Sequence, residues 1–429
     1  MCPHPQGPRG KTAAFYNSTE RGGKRWFGAS VGRGLLLSVV TLIGVFVIAE
    51  AVTRIVYQPP NLGRVIHFDE NLGWSLKPNS RLRSVDYMRD FDYVIDVNSF
   101  GMREREFSWE KEPSKTRVLV IGDSFTFGTG IDAKWRFSDI MNRALEGEAE
   151  VLNASVPGWG TDQELIHYET VARGLRPDLV ILTVMIANDI MNNILDHLML
   201  RSAPKPRFFL EADTLRLVKI DVASPASQGK RSFRSMLKHS RFLVFIKRRI
   251  DILTYKRRAR IAAVAADSGV DEEWMPNYPS HWVVYEREYR PEFERGWRLT
   301  EALIERFAER CDEDGAKLLV FAFPLKFEVD DEWRRVLYQR TGLDSTRYDR
   351  AKPYQRLKEF GAAHGIDVIY PLDEFREAAA RQPQYFLVDG HPSSAGNLTA
   401  ARVLLEALSE RGYVNFDVQS MDMPDDLGR

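Results

Sequence analysis

Apolar residues in this chain cluster in short unbroken runs rather than alternating with polar ones. Val118–Ile121, the stretch "AEVLNAS" ending near Asn153, Leu179–Val184, Leu318–Phe323 and Asp367–Tyr370 read as strands of this kind. Between them the apolar positions recur with helical spacing, over Trp135–Leu145, Asp162–Gly174, Trp297–Asp314, Lys352–His364 and Ser393–Arg411. Gly315 and Gly365 stop two of these helices, and Ser393 or Ser394 caps the last. Strands without polar alternation, separated by helices, predict an α/β fold whose parallel sheet is covered on both faces.

The longest apolar run lies earlier. "GLLLSVVTLIGVFVIA", 34–49, is followed by Glu50 and is near the length a helix needs to cross a bilayer. The tail before it carries Arg9, Lys11, Arg21, Lys24, Arg25 and Arg33 against one acid, Glu20. That asymmetry predicts a single-pass anchor in the cell membrane, with the tail cytoplasmic and the rest outside. "VIAEA" offers a conceivable cleavage site, so a removed signal peptide is the rival reading; the long basic tail favours the uncleaved anchor. The expected organisation is a disordered tail (1–33), an anchor (34–55), a β-rich collar (56–114), a main domain (115–412) and a C-terminal tail (413–429). The main domain carries an insertion (195–295). Its basic stretch "SFRSMLKHSRFLVFIKRRIDILTYKRRARI" reads either as a solvated insertion helix or as a lid or membrane-surface helix.

Composition narrows the function classes. The 429 residues have a formal net charge of zero, which argues against nucleic acid as a partner. Cys2 and Cys311 are the only cysteines, so no disulfide framework exists. The histidines lack ligand-type spacing, and there is no phosphate-binding loop ending in Lys-Ser or Lys-Thr. No metal or cofactor is expected.

Four segments carry candidate chemistry. "IGDSFTFG" ends a central strand on Gly122-Asp123-Ser124, placing Ser124 where open α/β sheets bind ligands. "NASVPGWGTDQ" follows the next strand, and Gly158 there can present a bare backbone N–H to an oxyanion. "VMIANDIMNN" follows the third strand and brings the Asn188 amide, a second donor. "FLVDGHPSSAGN" sets Asp389 and His391 before the last helix. A serine hydroxyl needs a base to become a nucleophile, histidine supplies one, and a carboxylate steadies the imidazolium. Taken singly, each residue is also an ordinary cap or turn residue.

Taken in order, the four blocks resemble the SGNH, or GDSL-type, hydrolase superfamily. Gly122-Asp123-Ser124, "NASVPG" with Gly158, Ala187-Asn188-Asp189 and Asp389-Gly390-His391-Pro392 match its successive blocks. The resemblance implies a flavodoxin-like three-layer α/β/α sandwich that cleaves or transfers acyl esters. It implies Ser124 as nucleophile, His391 as base and Asp389 as its partner. The oxyanion hole would combine the backbone N–H groups of Ser124 and Gly158 with the Asn188 side chain. Two positions depart from the pattern. Asp389 and His391 are separated by Gly390 alone, one residue closer than usual and similar to the branch with membrane-associated polysaccharide O-acetyltransferases. Ala187 stands where glycine is common. The expected function is an O-acyl or O-acetyl esterase outside the cytoplasmic membrane, with an acyl ester, carbohydrate included, as substrate. Two alternatives stay open: an O-acyltransferase on a surface or exported polysaccharide, which would need a membrane partner supplying acyl groups, and a catalytically silent binding module.

Overall fold

The computed structural model describes residues 23–56, 64–86, 91–195, 204–211, 214–220, 240–247, 249–250, 282–341, 344–387 and 389–416. The chain divides into two compact units, Met1–Pro59 with Arg231–Ile250, and Pro60–Lys230 with Asp251–Arg429.

The first unit is built on helix α1 (Gly23–Val56), of which Gly34–Val56 is long and apolar enough to cross a membrane. The helix starts at Gly23, inside the stretch expected to be disordered. Once an apolar helix has nucleated, each added residue costs little, so it propagates into its polar flank. Residues 1–22 of that tail lie outside the described residues. Glu50 interrupts the apolar surface, and its carboxylate has a local use. It accepts hydrogen bonds from Ser240 Oγ (2.7 Å) and from the backbone N–H groups of Arg241 (3.1 Å) and Phe242 (3.0 Å). The two backbone N–H groups are orphan donors at the start of a second helix, described over 241–247 and 249–250. The remainder of the basic stretch falls outside the described residues.

The second unit opens with two hairpins, β1 (Ile66–Asp69) with β2 (Gly73–Leu76) and β3 (Ser80–Asp86) with β4 (Phe91–Val97). The central run follows: β5 (Thr116–Ile121), α2 (Ser124–Phe127), α3 (Phe137–Ala144), β6 (Ala149–Asn153), α4 (Thr161–Thr170), β7 (Leu179–Val184) and α5 (Ile186–Ile194). A small antiparallel hairpin, β8 (Arg207–Glu211) with β9 (Thr214–Val218), lies in the expected insertion. The chain closes with α6 (Pro291–Glu313), β10 (Lys317–Ala322), α7 (Lys326–Val329), α8 (Asp331–Thr341), α9 (Lys352–His364), β11 (Asp367–Ile369), α10 (Leu372–Ala379) and α11 (Ser394–Glu410).

Five strands form one parallel sheet in the order β11-β10-β7-β5-β6, which is the flavodoxin-like order. Side chains alternate between the two faces, so the all-apolar strands feed two separate cores. Leu119, Ile121, Leu152, Val180, Leu182 and Val320 face one side, packed with Leu165, Ile190, Trp297, Leu303 and Leu357 from α4, α5, α6 and α9. Val118, Val120, Val151, Ile181, Leu319 and Phe321 face the other, packed with Phe137, Met141, Phe375, Leu404 and Leu408 from α3, α10 and α11. The result is the three-layer α/β/α sandwich. The chain runs from β5 outward to β6, then returns to the other side of β5 as β7. That reversal leaves a crevice at the carboxyl ends of β5 and β7, where open α/β sheets bind ligands.

Candidate active site

Ser124 is the first residue of α2, three positions beyond the end of β5. The turn before it is tight for a packing reason. A Cβ on Gly122 would collide with the hydroxyl oxygens of Thr183 and Thr126, so only glycine lets β5 and β7 approach there. Asp123 caps the helix, its Oδ1 accepting from Phe125 N at 2.9 Å, and Gly128 ends it in the left-handed conformation, φ +72°.

His391 reaches the same point from 267 residues further along the chain. Its Nε2 lies 2.9 Å from Ser124 Oγ. Its Nδ1 is hydrogen-bonded to Asp389 Oδ1, and the same carboxylate oxygen accepts from the His391 backbone N–H at 2.9 Å. One carboxylate oxygen thus holds both the backbone and the ring of His391 through an Asx-type turn. The spacing of two residues thus delivers the carboxylate to Nδ1. The phenyl rings of Phe125 and Phe91 lie 5.2 and 6.3 Å from the imidazole, centre to centre. The side chains of His391 and Asp389 remain 19% and 11% exposed, so the site is open to a ligand.

Asn188 stands in the first turn of α5, directly after β7. Its Nδ2 donates to Asp123 Oδ2 at 2.7 Å, beside the serine, and an amide nitrogen retains a second hydrogen for another acceptor. Gly158 has φ +83°, a conformation that favours glycine. Its carbonyl accepts from Asn192 Nδ2 at 3.3 Å, so α5 holds both the Asn188 amide and the Gly158 loop. That loop runs along the end of β5, with Val156 N donating to Gly122 O at 3.2 Å. The structure therefore brings Ser124, His391 and Asp389 into one hydrogen-bonded chain. Asn188 lies beside it, bonded to Asp123, the residue before Ser124, and Gly158 is tied to the helix that carries Asn188.

Sequence reasoning missed how the collar reaches this site. The Asn98 side chain organises a turn, Oδ1 accepting from Phe100 N and Met102 N at 3.0 Å each. The turn sends Arg103 inward, where it is 2% exposed. Arg103 Nη1 donates to Phe127 O (2.7 Å) and Gly128 O (2.9 Å), and Nη2 to Val94 O (2.8 Å) and Ile131 O (2.7 Å). It therefore clamps the carbonyls that follow the Ser124 helix, and burial lowers its pKa to about 9. Trp74 Nε1 donates to Pro157 O at 3.0 Å and Trp159 Nε1 donates back to Trp74 O at 2.9 Å, so β2 pins the Gly158 loop. Lys326 Nζ donates to Phe386 O (2.8 Å) and Leu387 O (2.7 Å), holding the approach to His391. The turn signal Asn98-Ser99-Phe100-Gly101 is legible in the sequence; that Arg103 faces inward is not. Among the described residues, no group of three or more His, Cys, Asp or Glu side chains is arranged to hold a metal ion.

No protein-family model matches the chain, and no curated protein matches it. Solved structures similar to it include GDSL-type lipases and esterases. TesA is 12% identical, over 69% of this chain and 99% of that one, with a TM-score of 0.35. The acetyl xylan esterase AlAXEase is 12% identical, over 68% and 99%, with a TM-score of 0.35. A member of the lipolytic G-D-S-L family from Veillonella parvula is 14% identical, over 68% and 98%, with a TM-score of 0.33. At this identity and superposition the likeness carries no chemistry over to this chain.

Proposed function

We propose that this chain is a membrane-anchored serine esterase of the SGNH type, acting on O-acyl or O-acetyl esters outside the cytoplasmic membrane. The observation that supports this most is the hydrogen-bonded chain Ser124 Oγ–His391 Nε2, His391 Nδ1–Asp389 Oδ1. Ser124 Oγ attacks the ester carbonyl carbon while His391 Nε2 takes its proton. The Asp389 carboxylate steadies the imidazolium, and the oxyanion meets the N–H groups of Ser124, Gly158 and Asn188. Collapse of the tetrahedral intermediate breaks the bond to the alkoxy group, which leaves with the proton from His391. Water then attacks the acyl–Ser124 carbonyl, again losing its proton to His391, and the carboxylic acid and free serine are restored.

The anchor reading rests on Gly34–Val56 and on the basic residues ahead of it. They favour the active site lying outside the cytoplasm. A transferase would follow the same steps up to the acyl–serine and differ only in the attacking hydroxyl, a sugar's in place of water's. The full-length protein in detergent, given a chromogenic acetyl ester and a fluorophosphonate probe, tests the proposal. The expected result is turnover and covalent labelling, both lost in Ser124→Ala. Turnover that persists in that variant overturns the nucleophile assignment. Acetyl appearing on an added oligosaccharide rather than as free acetate identifies the transferase.

A further inference from the structure

A cavity of about 540 Å³ lies among α7, α8, α10 and the segment 345–351, and neither Ser124 nor His391 lines it. Four arginines line it, Arg287, Arg334, Arg350 and Arg376, with two acidic residues, Glu328 and Asp349.

The charge there is unbalanced once each group is followed to its partners. Arg287 pairs with Asp349 at 3.1 Å, and these two cancel. Arg334 pairs with Asp331 and donates to Phe327 O at 2.9 Å. Arg376 donates Nε and Nη2 to the Glu328 backbone carbonyl at 3.2 and 3.1 Å, a neutral acceptor. Its nearest carboxylate, Asp373, is 3.9 Å away and 96% exposed. The Glu328 carboxyl is occupied elsewhere, accepting from Leu325 N (2.7 Å), Tyr354 OH (2.6 Å) and Tyr370 OH (3.0 Å). Burial pushes its pKa up to about 7, so it supplies only part of a negative charge at neutral pH. Arg350 is left over. Its Nη1 is buried and meets no hydrogen-bond partner among the described residues. Burial, with Arg334 and Arg376 nearby, disfavours its charged form. A guanidinium that lines the cavity without a carboxylate partner among the described residues suits an oxyanion, whose oxygens match the planar fork.

We propose that this cavity is an anion-binding site, separate from the Ser124 site, that takes a carboxylate- or phosphate-bearing small molecule on Arg350 and Arg376. The volume is well above what one water fills, so there is room for such a molecule.

Titration calorimetry on the full-length protein in detergent tests this. Inorganic phosphate and succinate serve as separate probes, each against matched sodium chloride. The expected result is saturable binding of one or both, which also tells phosphate from carboxylate as the preferred group. Arg350→Gln and Arg376→Gln each weaken it about tenfold or more, the loss of one charge-assisted hydrogen bond. Arg350→Lys, which keeps the charge and loses the fork, falls between. Ser124→Ala binds as the unaltered protein does, whatever becomes of the esterase reading. Absence of saturable heat for both probes overturns the proposal. So does unchanged affinity in folded Arg350→Gln and Arg376→Gln, or loss of binding in Ser124→Ala.

Discussion

Replacing Asp389 by asparagine separates two roles that one carboxylate oxygen performs. Asp389 Oδ1 accepts from the backbone N–H of His391 and from its ring Nδ1. An asparagine whose carbonyl oxygen takes the same place keeps both bonds, and so keeps the turn and the tautomer. What it lacks is the negative charge facing the imidazolium that forms as Ser124 attacks. At about 4 Å and an effective dielectric of about 20, that attraction is worth about 4 kcal/mol. The side chains are only 11% and 19% exposed, so solvent screens little of it. Asp389→Asn is therefore expected to lower kcat roughly a thousandfold. Asp389→Ala also frees the loop and the ring, and is expected to lose more, on the order of 10⁴-fold or beyond, as removal of a triad carboxylate does. The assay is initial-rate hydrolysis of a chromogenic acetyl ester by full-length protein, with labelling by a fluorophosphonate followed in parallel. Turnover by Asp389→Asn within a few fold of the unaltered protein refutes the reasoning, since the charge then contributes nothing. Equal loss in the two variants refutes the division between charge and geometry.

Asn188→Ala is expected to cut kcat by about 10²–10³, the usual loss for one oxyanion donor, and to cost about 1–3 kcal/mol of stability because the buried Asp123 carboxylate loses a donor; an unaffected kcat removes Asn188 from the oxyanion hole. Arg103→Lys keeps a positive charge but offers at most three donors to four carbonyls, so it orphans at least one and costs about 1–3 kcal/mol in denaturant unfolding. Its kcat is expected to fall with KM little changed, because the clamp sits on the Ser124 helix and not on substrate; a fall in stability alone counts against a positioning role. His167, beside the Trp159 ring at 5.1 Å, has a buried Nδ1 with no hydrogen-bond partner among the described residues, and burial lowers its pKa to about 4. The unfolded chain therefore binds the extra proton first, and stability present above about pH 6.5 is lost as pH falls toward 4, by up to about 3 kcal/mol. Glu104 and Glu328, raised by burial to about 6 and about 7, oppose this trend, so the difference between the unaltered protein and His167→Phe isolates it in pH-dependent melting.

Much of the sandwich was legible because its signals are local. Leu179–Val184 and Lys352–His364 have the bounds their apolar runs and the stop at Gly365 indicate, and Ser393 caps the final helix through its own side chain. Helix α6 begins six residues earlier than its pattern suggested, at Pro291, because proline is well suited to a first turn. Helices α8 and α10, of 11 and 8 residues, are not among the elements the sequence pattern indicates. Taken singly, Asn188 reads as a turn residue after the third strand; it belongs to α5, whose apolar face packs on α6.

By itself the amino-acid order determined which residue types stand at the strand ends, the apolar content of each strand, and the spacing that lets Asp389 turn back onto His391. These depend on neighbours a few positions apart. Tertiary structure alone decided the strand order that brings Ser124 and His391 together, the inward turn of Arg103, the pinning of the Gly158 loop by Trp74, and the gathering of Arg350 with Arg376. Each of these joins groups tens to hundreds of residues apart, and such contacts are set by how whole layers bury their apolar faces, which no local periodicity encodes.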